Sequence, residues 1–382
     1  MPWKELSAME QRLELVIDWR RKEYSVVELS RIYGVSRKTI YKWLSRYEAA
    51  GLDGLKEQSC APLRHPNATP TAIVDMIVKA KLTRQRWGPK KVLARLEHEH
   101  PDRPWPALST TSEILRRHGL VRHRHQHHHT PPYTEPFRGC NEPNSAWSAD
   151  YKGQFRLGNG HLCYPLTISD NYSRFLFGCW ALERPSYQET QPWFEWTFRE
   201  YGLPYAVRTD NGSPFAAVAL GGLSRLSVWL IKLGIIPERI DVGQPQQNGR
   251  HERMHRTLKE ATVTPPRDNP AQQQRVFARF LNEYNNERPH EALGQRTPAS
   301  VYQRSPRDYP ARLPKVEYDT GTLVRHIHTN GCMNWKGGLI YVSENLAGED
   351  VALRRTSEHE WDLRFSFHHL GIFNELTGKI RP

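Results

Sequence analysis

Apolar residues recur at helical spacing through the first 121 positions and give way to alternation from Ser145 onward. Leu13, Val16 and Ile17 share one face of a first helix, and Ser25 with Glu28 in "SVVE" form a capping box for a second. Gly34 supplies a turn, Ser36 caps the third helix, and in "SRKTIYKWLSRY" Ile40 and Leu44 face inward. That leaves Arg37, Lys38, Tyr41 and Lys42 on the outer face. The pattern predicts a helix-turn-helix whose second helix enters a DNA major groove.

A second helical unit is predicted over residues 70–121. "TPTAIVDMIVKAKL" is amphipathic, Pro89 suits a first helical position, and "STTSEILRRHG" ends on Gly119. Lys90, Lys91, Arg116 and Arg117 fall on its outer side. Residues 122–144 are rich in Pro, His and Arg and predict a basic tether. Beyond it "SAWSADYKGQFRL", "HLCYPLTISD" and "RFLFGCWAL" read as strands, Ser186 and Glu189 as another capping box, and "YAVRT" as a strand ending at Asp210. Helices are predicted at 222–233, 248–261 (with Asn248 as N-cap) and 269–286, which makes this an α/β region with a mixed sheet. From about residue 316, "TLVRHIH", "GLIYVS", "DVALRR", "WDLRFSF" and "LGIFN" predict a small β-barrel.

Charge sharpens the picture because it is uneven. Residues 1–130 carry 24 Lys and Arg against 14 Asp and Glu, whereas the remainder carries 30 against 27. Basic charge concentrated in the helical third points to a polyanionic partner. No apolar run reaches the roughly 18 residues of a membrane span. Five widely spaced cysteines, with no C-x-x-C pair, fit reduced thiols in a cytoplasmic protein.

The candidate chemistry lies in three acids. Asp150 sits within a strand in "SADYKGQF", and Asp210 precedes Asn-Gly at a strand end. Glu252 occupies the first turn of the helix in "QPQQNGRHERMHRTLKEA", where Met254, Leu258 and Ala261 form the buried stripe. On spacing alone His255, Arg256 and Lys259 share the face of Glu252, and an ion pair from Glu252 to Arg256 would be worth only a few tenths of a kcal/mol. Asp170 in "SDNYSRF" is a fourth nearby acid and reads as structural, or as a support behind the other three.

"ADYKG", "TDNGSPF", "PQQNGRHERMHRTLKE" and "YNNERPHEALGQRTPASVY" together resemble the core of DDE transposases and retroviral-type integrases, most closely the IS481 (IS3-like) class of bacterial insertion-sequence transposases. The resemblance covers roughly residues 145–303. It implies helix-turn-helix domains over 1–60 and 61–121 (the second winged-helix-like), the linker at 122–144, an RNase H-like core over 145–305, and an SH3-like barrel over 306–382. It further implies that Asp150, Asp210 and Glu252 are catalytic and hold two Mg²⁺ ions, with Mn²⁺ able to substitute. Lys152, Arg250, His251, Arg256 and Lys259 then become DNA contacts beside the acids.

The partners implied are double-stranded DNA, as element ends and target, and further copies of the chain in a homodimer or larger synaptic complex. The expected setting is the bacterial cytoplasm, at the chromosome. The expected function is cleavage and joining of DNA at terminal inverted repeats. A catalytically inactive DNA-binding regulator with a retained integrase fold is the alternative; its mark would be a lost acid, and all three are present. A simple RNase H-like nuclease leaves the tandem helical units unexplained. Asp210 and Glu252 stand 42 positions apart, longer than the family's usual spacing, and the extra length falls around Leu226, Trp229, Leu230 and Leu233.

Overall fold

A computed structural model describes residues 7–60, 67–121, 140–217, 219–240 and 249–381. The chain divides into two compact units, Met1–Thr69 and Pro70–Pro382.

The first unit holds helices α1 (Ala8–Arg21), α2 (Val26–Ile32) and α3 (Arg37–Ala50), closed by a 3₁₀ turn at Gly51–Leu55. Ser25 and Glu28 form the expected capping box, Ser36 caps α3, and Ser7 with Glu10 form a second box at α1. Leu15, Val16, Leu29, Ile40, Trp43, Leu44 and Leu55 make the core. Ile17, expected inside, is 40% exposed, because Leu15 takes the inward position. Arg12 lies 3.9 Å from the Trp43 ring centroid and donates to the Leu55 carbonyl at 3.0 Å, tying α1 to the closing turn. Gly54 is required there: a Cβ would fall 2.0 Å from the Arg46 carbonyl oxygen.

The second unit opens with α4 (Thr71–Thr83), α5 (Pro89–Glu99) and α6 (Leu108–Arg117), packed around Ile77, Trp87, Val92, Leu96 and Leu115. Pro89 is at the start of α5, as expected. No strand, and so no wing, occurs among the described residues 67–121. This helical part docks on the chain that follows the last core helix. Arg84 pairs with Glu287 and reaches Glu283 at 3.9 Å, and the Trp87 indole donates to Glu283 at 3.2 Å.

The central sheet contains β1 (Ala146–Tyr151), β2 (Phe155–Arg156), β3 (Leu162–Asp170), β4 (Leu176–Leu182), β5 (Ala206–Thr209) and β6 (Ile236–Arg239). Its order is β2-β3-β1-β5-β6, with β4 also on β3; β1 pairs antiparallel with β3, and β1-β5-β6 run parallel. β6 lies outside the sequence expectation, since its four residues include a proline and two charges. It is held by register rather than hydrophobicity: Arg208 of β5 faces Glu238 of β6, and their side chains meet at 2.6 Å. Helix α7 (Tyr187–Tyr201) packs Phe194 and Phe198 against Trp147, Ile168 and Phe177. Ser186 caps α7, but the Glu189 carboxylate accepts from the Glu183 and Arg184 amides instead of closing the expected box.

Helices α8 (Arg225–Lys232), α9 (Gly249–Thr262) and α10 (Pro270–Asn282) complete the core. α8 explains the long interval between Asp210 and Glu252. Leu226, Trp229 and Leu230 enter the sheet's core, whereas Val228 and Ile231 enter the core of the C-terminal region. A helix apolar on both sides is buried on both sides. The added residues therefore build a joint between two layers, which Lys232–Glu349 at 2.5 Å reinforces.

That C-terminal region comprises β7 (Leu323–His326), β8 (Cys332–Trp335), β9 (Gly338–Tyr341), β10 (Asp350–Arg355), β11 (Glu360–Phe365), β12 (His368–Asn374) and β13 (Lys379–Arg381). Five strands form an antiparallel sheet in the order β13-β12-β11-β10-β7, and β8-β9 form a separate hairpin. The expected SH3-like barrel is not formed among the described residues. β7 and β13 do not pair, so the sheet stays open, and Val228 and Ile231 of α8 join the core it covers.

Candidate active site

Each candidate acid stands where a strand or helix ends. Asp150 is the penultimate residue of β1, not mid-strand as expected, and its side chain is 18% exposed. Asp210 directly follows β5, and its Oδ1 accepts the Gly212 amide at 3.1 Å. Asn211 donates to the Ile240 carbonyl at 2.9 Å, which fixes the turn after β5 against the end of β6. Glu252 lies in the first turn of α9 and is exposed; among the described residues it makes no ion pair with Arg256. The expected N-cap Asn248 lies outside the described residues.

Asp150 feels the charge of both other acids. Burial pushes the Asp150 carboxyl up to about 7, and the negative charges of Asp210 and Glu252 push in the same direction. The Tyr151 amide and Lys152 pull the other way. Perturbation of an acid by two further acids from separate elements marks a functional site more often than a structural one.

Behind Asp150 lies a network that the sequence did not reveal. His251 and His255, expected on the outer side of α9, are 2% and 4% exposed and face the sheet. The Thr167 hydroxyl lies 2.7 Å from both His251 Nε2 and His255 Nε2 and 3.1 Å from the Asp150 carbonyl oxygen. Ser169 Oγ lies 3.1 Å from His251 Nδ1, and His255 Nδ1 lies 3.7 Å from Asp150 Oδ2. Burial holds both imidazoles well below their ordinary range, so both are neutral. His251 is thus a buried strut and not a DNA contact. The signal was present in the chain: histidines at i and i+4 share a helix face, and Thr167 and Ser169 share a strand face.

The remaining candidate DNA contacts divide. Arg37, Lys38, Tyr41 and Lys42 are all exposed on α3, as are Arg256 and Lys259 on α9. Arg116 and Arg117 are exposed but both pair with Glu113. Lys90 pairs with Glu291 at 2.5 Å, and Arg250 is half-buried and donates to the Asn171 carbonyl at 3.1 Å. Lys152 is half-buried beside Asp150. Asp170, by contrast, is a structural acid: 1% exposed, it accepts the Asn144 amide at 2.9 Å and both the amide and hydroxyl of Ser173.

Lys91 departs furthest from expectation. It is half-buried, and burial together with Arg288 lowers its ammonium to about 7. The unfolded chain holds that proton up to roughly pH 10.4. Between these values the unfolded state binds more protons, so stability rises with pH from about 7 to about 10. Lys91→Met is expected to flatten that rise in a melting-temperature series; an unchanged slope would show Lys91 to be solvated.

Integrase core domain profiles match residues 141–245 and 233–298, a helix-turn-helix profile matches 11–60, and a homeodomain-like profile matches 39–115. The chain thus carries an integrase core domain over residues 141–298, with helix-turn-helix domains on its N-terminal side. It is 25% identical over 289 residues, 72% of its length and 96% of the relative's, to the insertion element IS407 uncharacterized 31.7 kDa protein of Burkholderia multivorans (strain ATCC 17616 / 249). It is also 25% identical over 260 residues, 67% of its length and 72% of the relative's, to the insertion element IS476 uncharacterized 39.2 kDa protein of Xanthomonas euvesicatoria. Among solved structures, the simian T-cell lymphotropic virus intasome in complex with PP2A regulatory subunit B56 gamma aligns over 76% of this chain and 97% of that one, at 18% identity and a TM-score of 0.37. Core, helix-turn-helix domains and insertion-element relatives are together consistent with a DDE transposase of IS3-like type. No helix among the described residues is long and apolar enough to cross a membrane.

Proposed function

We propose that this chain is a transposase that binds the terminal inverted repeats of an insertion sequence and cuts and joins DNA with Asp150, Asp210 and Glu252. The observation that carries the reading is the Asp150 carboxyl, pushed up to about 7 with Asp210 and Glu252 among the causes. Acids gathered at the ends of β1 and β5 and the start of α9 suit a divalent cation, whose charge would relieve their mutual repulsion. Carboxylate oxygens are hard donors, which fits Mg²⁺, with Mn²⁺ able to substitute.

Two such ions would activate an oxygen nucleophile and neutralise the charge gathering on the leaving 3′-oxygen. The chain's own groups set the stage. The Gly212 amide orients Asp210, while the exposed Arg256 and Lys259, on the helix that carries Glu252, hold the flanking phosphates. Lys152 lies close enough to lower the Asp150 carboxyl and is placed to steady a phosphate at the same spot. Holding two element ends together calls for at least two copies of the chain.

Recognition of the ends falls to α3. Arg37 and Lys38 begin that helix, one turn before the exposed Tyr41 and Lys42. Arg37→Ala is expected to weaken binding to the end sequence by about 1–3 kcal/mol if it reads a base. Titrations on the end sequence and on scrambled DNA check this: the loss should be larger on the former. Affinity for both should fall steeply with salt. Equal losses on both would make Arg37 a phosphate contact only.

A further inference from the structure

The network behind Asp150 fixes the protons on its two histidines. Three groups surround the Thr167 hydroxyl, which has one proton to give. The Asp150 carbonyl oxygen can only accept, so the threonine proton goes there, and both imidazole Nε2 atoms must donate to Thr167 Oγ1. Any other assignment leaves one of the three short contacts without a proton between its atoms.

For His251 the consequence is closure. Its Nε2 donates to Thr167, its Nδ1 accepts from Ser169, and no donor atom is left over. His255 differs. With Nε2–H on Thr167, its Nδ1 carries a bare lone pair 3.7 Å from Asp150 Oδ2, on a side chain only 4% exposed. Asp150, His251 and His255 place potential donor atoms within 4.8 Å of one another, yet the proton count leaves only the Asp150 carboxylate and His255 Nδ1 available.

We propose that His255 is a nitrogen ligand to a divalent cation held at Asp150, with its tautomer set by Thr167. The proposal rests on the reading of Asp150 as a metal-binding acid. Two metal–ligand bonds of about 2.0–2.2 Å span a 3.7 Å separation. An imidazole partner shifts such a site away from Mg²⁺, which favours oxygen, toward ions later in the Irving–Williams order. Thr167 is a positioning residue, since it holds the ring through its far nitrogen as the outer hydrogen bonds of metal-bound histidines do, and His251 acts one step further back by bonding to the same hydroxyl.

The test is Mn²⁺ binding to the full chain, followed by electron paramagnetic resonance with spin-echo detection of ligand nitrogen. In wild type, a coupled imidazole nitrogen is expected, and it should change its signature when the chain carries ¹⁵N-histidine, a comparison that needs no variant. His255→Asn should abolish the coupling and weaken Mn²⁺ by about tenfold, with Mg²⁺ competition altered less. Thr167→Val, close in shape, should weaken the coupling through loss of the tautomer lock. Mn²⁺ that is lost in Asp150→Asn but shows no histidine coupling, or coupling that survives in His255→Asn, overturns the proposal and leaves the acids in place. Mn²⁺ binding indifferent to Asp150→Asn would sink both.

Discussion

Asparagine at position 210 is expected to lower strand transfer by about a thousandfold while binding of end DNA stays within about twofold. Asp210 follows β5, and its carboxylate accepts the Gly212 amide at 3.1 Å, so the side chain is aimed by the turn rather than by a salt bridge. Asn211, exposed beside it, is already tied to the Ile240 carbonyl, so the turn has an anchor independent of Asp210. Asp210→Asn therefore removes one charge with little rearrangement. Metal assistance in phosphoryl chemistry is worth several kcal/mol, about 1.4 kcal/mol per decade of rate. On the proposed reading DNA binding draws on α3 and the exposed cations of α9, which the change does not touch.

Trp147→Ala is expected to destabilise the second unit by about 3–5 kcal/mol. The ring is fully buried, 3.9 Å from the Phe177 centroid and 5.7 Å from that of Phe198, and its indole donates to Asn144 at 3.1 Å. Truncation leaves a cavity in the main core and removes one of the two donors to the Asn144 side-chain oxygen, the Tyr302 hydroxyl being the other. Trp147 is on β1, three residues before Asp150, so activity should fall at temperatures where the fold still survives. Thermal and denaturant unfolding measure the first effect; a shift below about 1 kcal/mol would mean that the core refills the space.

Much of this arrangement was legible in the chain because local physics wrote it there. Ser25, Glu28 and Ser36 announced α2 and α3, and alternation announced β1, β3 and β4. Residues set by long-range partners were not legible. β6 exists because Glu238 meets Arg208 across the sheet, and no local pattern marks "IPER" as a strand. α8 showed its apolar stripe, but the second apolar side reads as noise until the C-terminal sheet is seen resting on it.

The acids stood out through their motifs, whereas their support did not. His251 and His255 look like surface cations among Arg250, Arg253 and Arg256, and only the facing Thr167 and Ser169 of β3 turn them into buried neutral groups. Lys90 and Lys91 looked equally free, until the end of the core helix region supplied Glu291 and Arg288. In both cases composition gave the charge and tertiary packing withdrew it.

The central claim is that three convergent acids and a divalent cation join DNA. Its most direct measurement is transfer of an oligonucleotide carrying the element's terminal repeat into plasmid DNA, with Mg²⁺, with Mn²⁺ and with chelator. Wild type should give joined product only with metal, and Asp150→Asn, Asp210→Asn and Glu252→Gln should each give none above background. Joined product in chelator, or undiminished product from any of the three variants, would contradict the account.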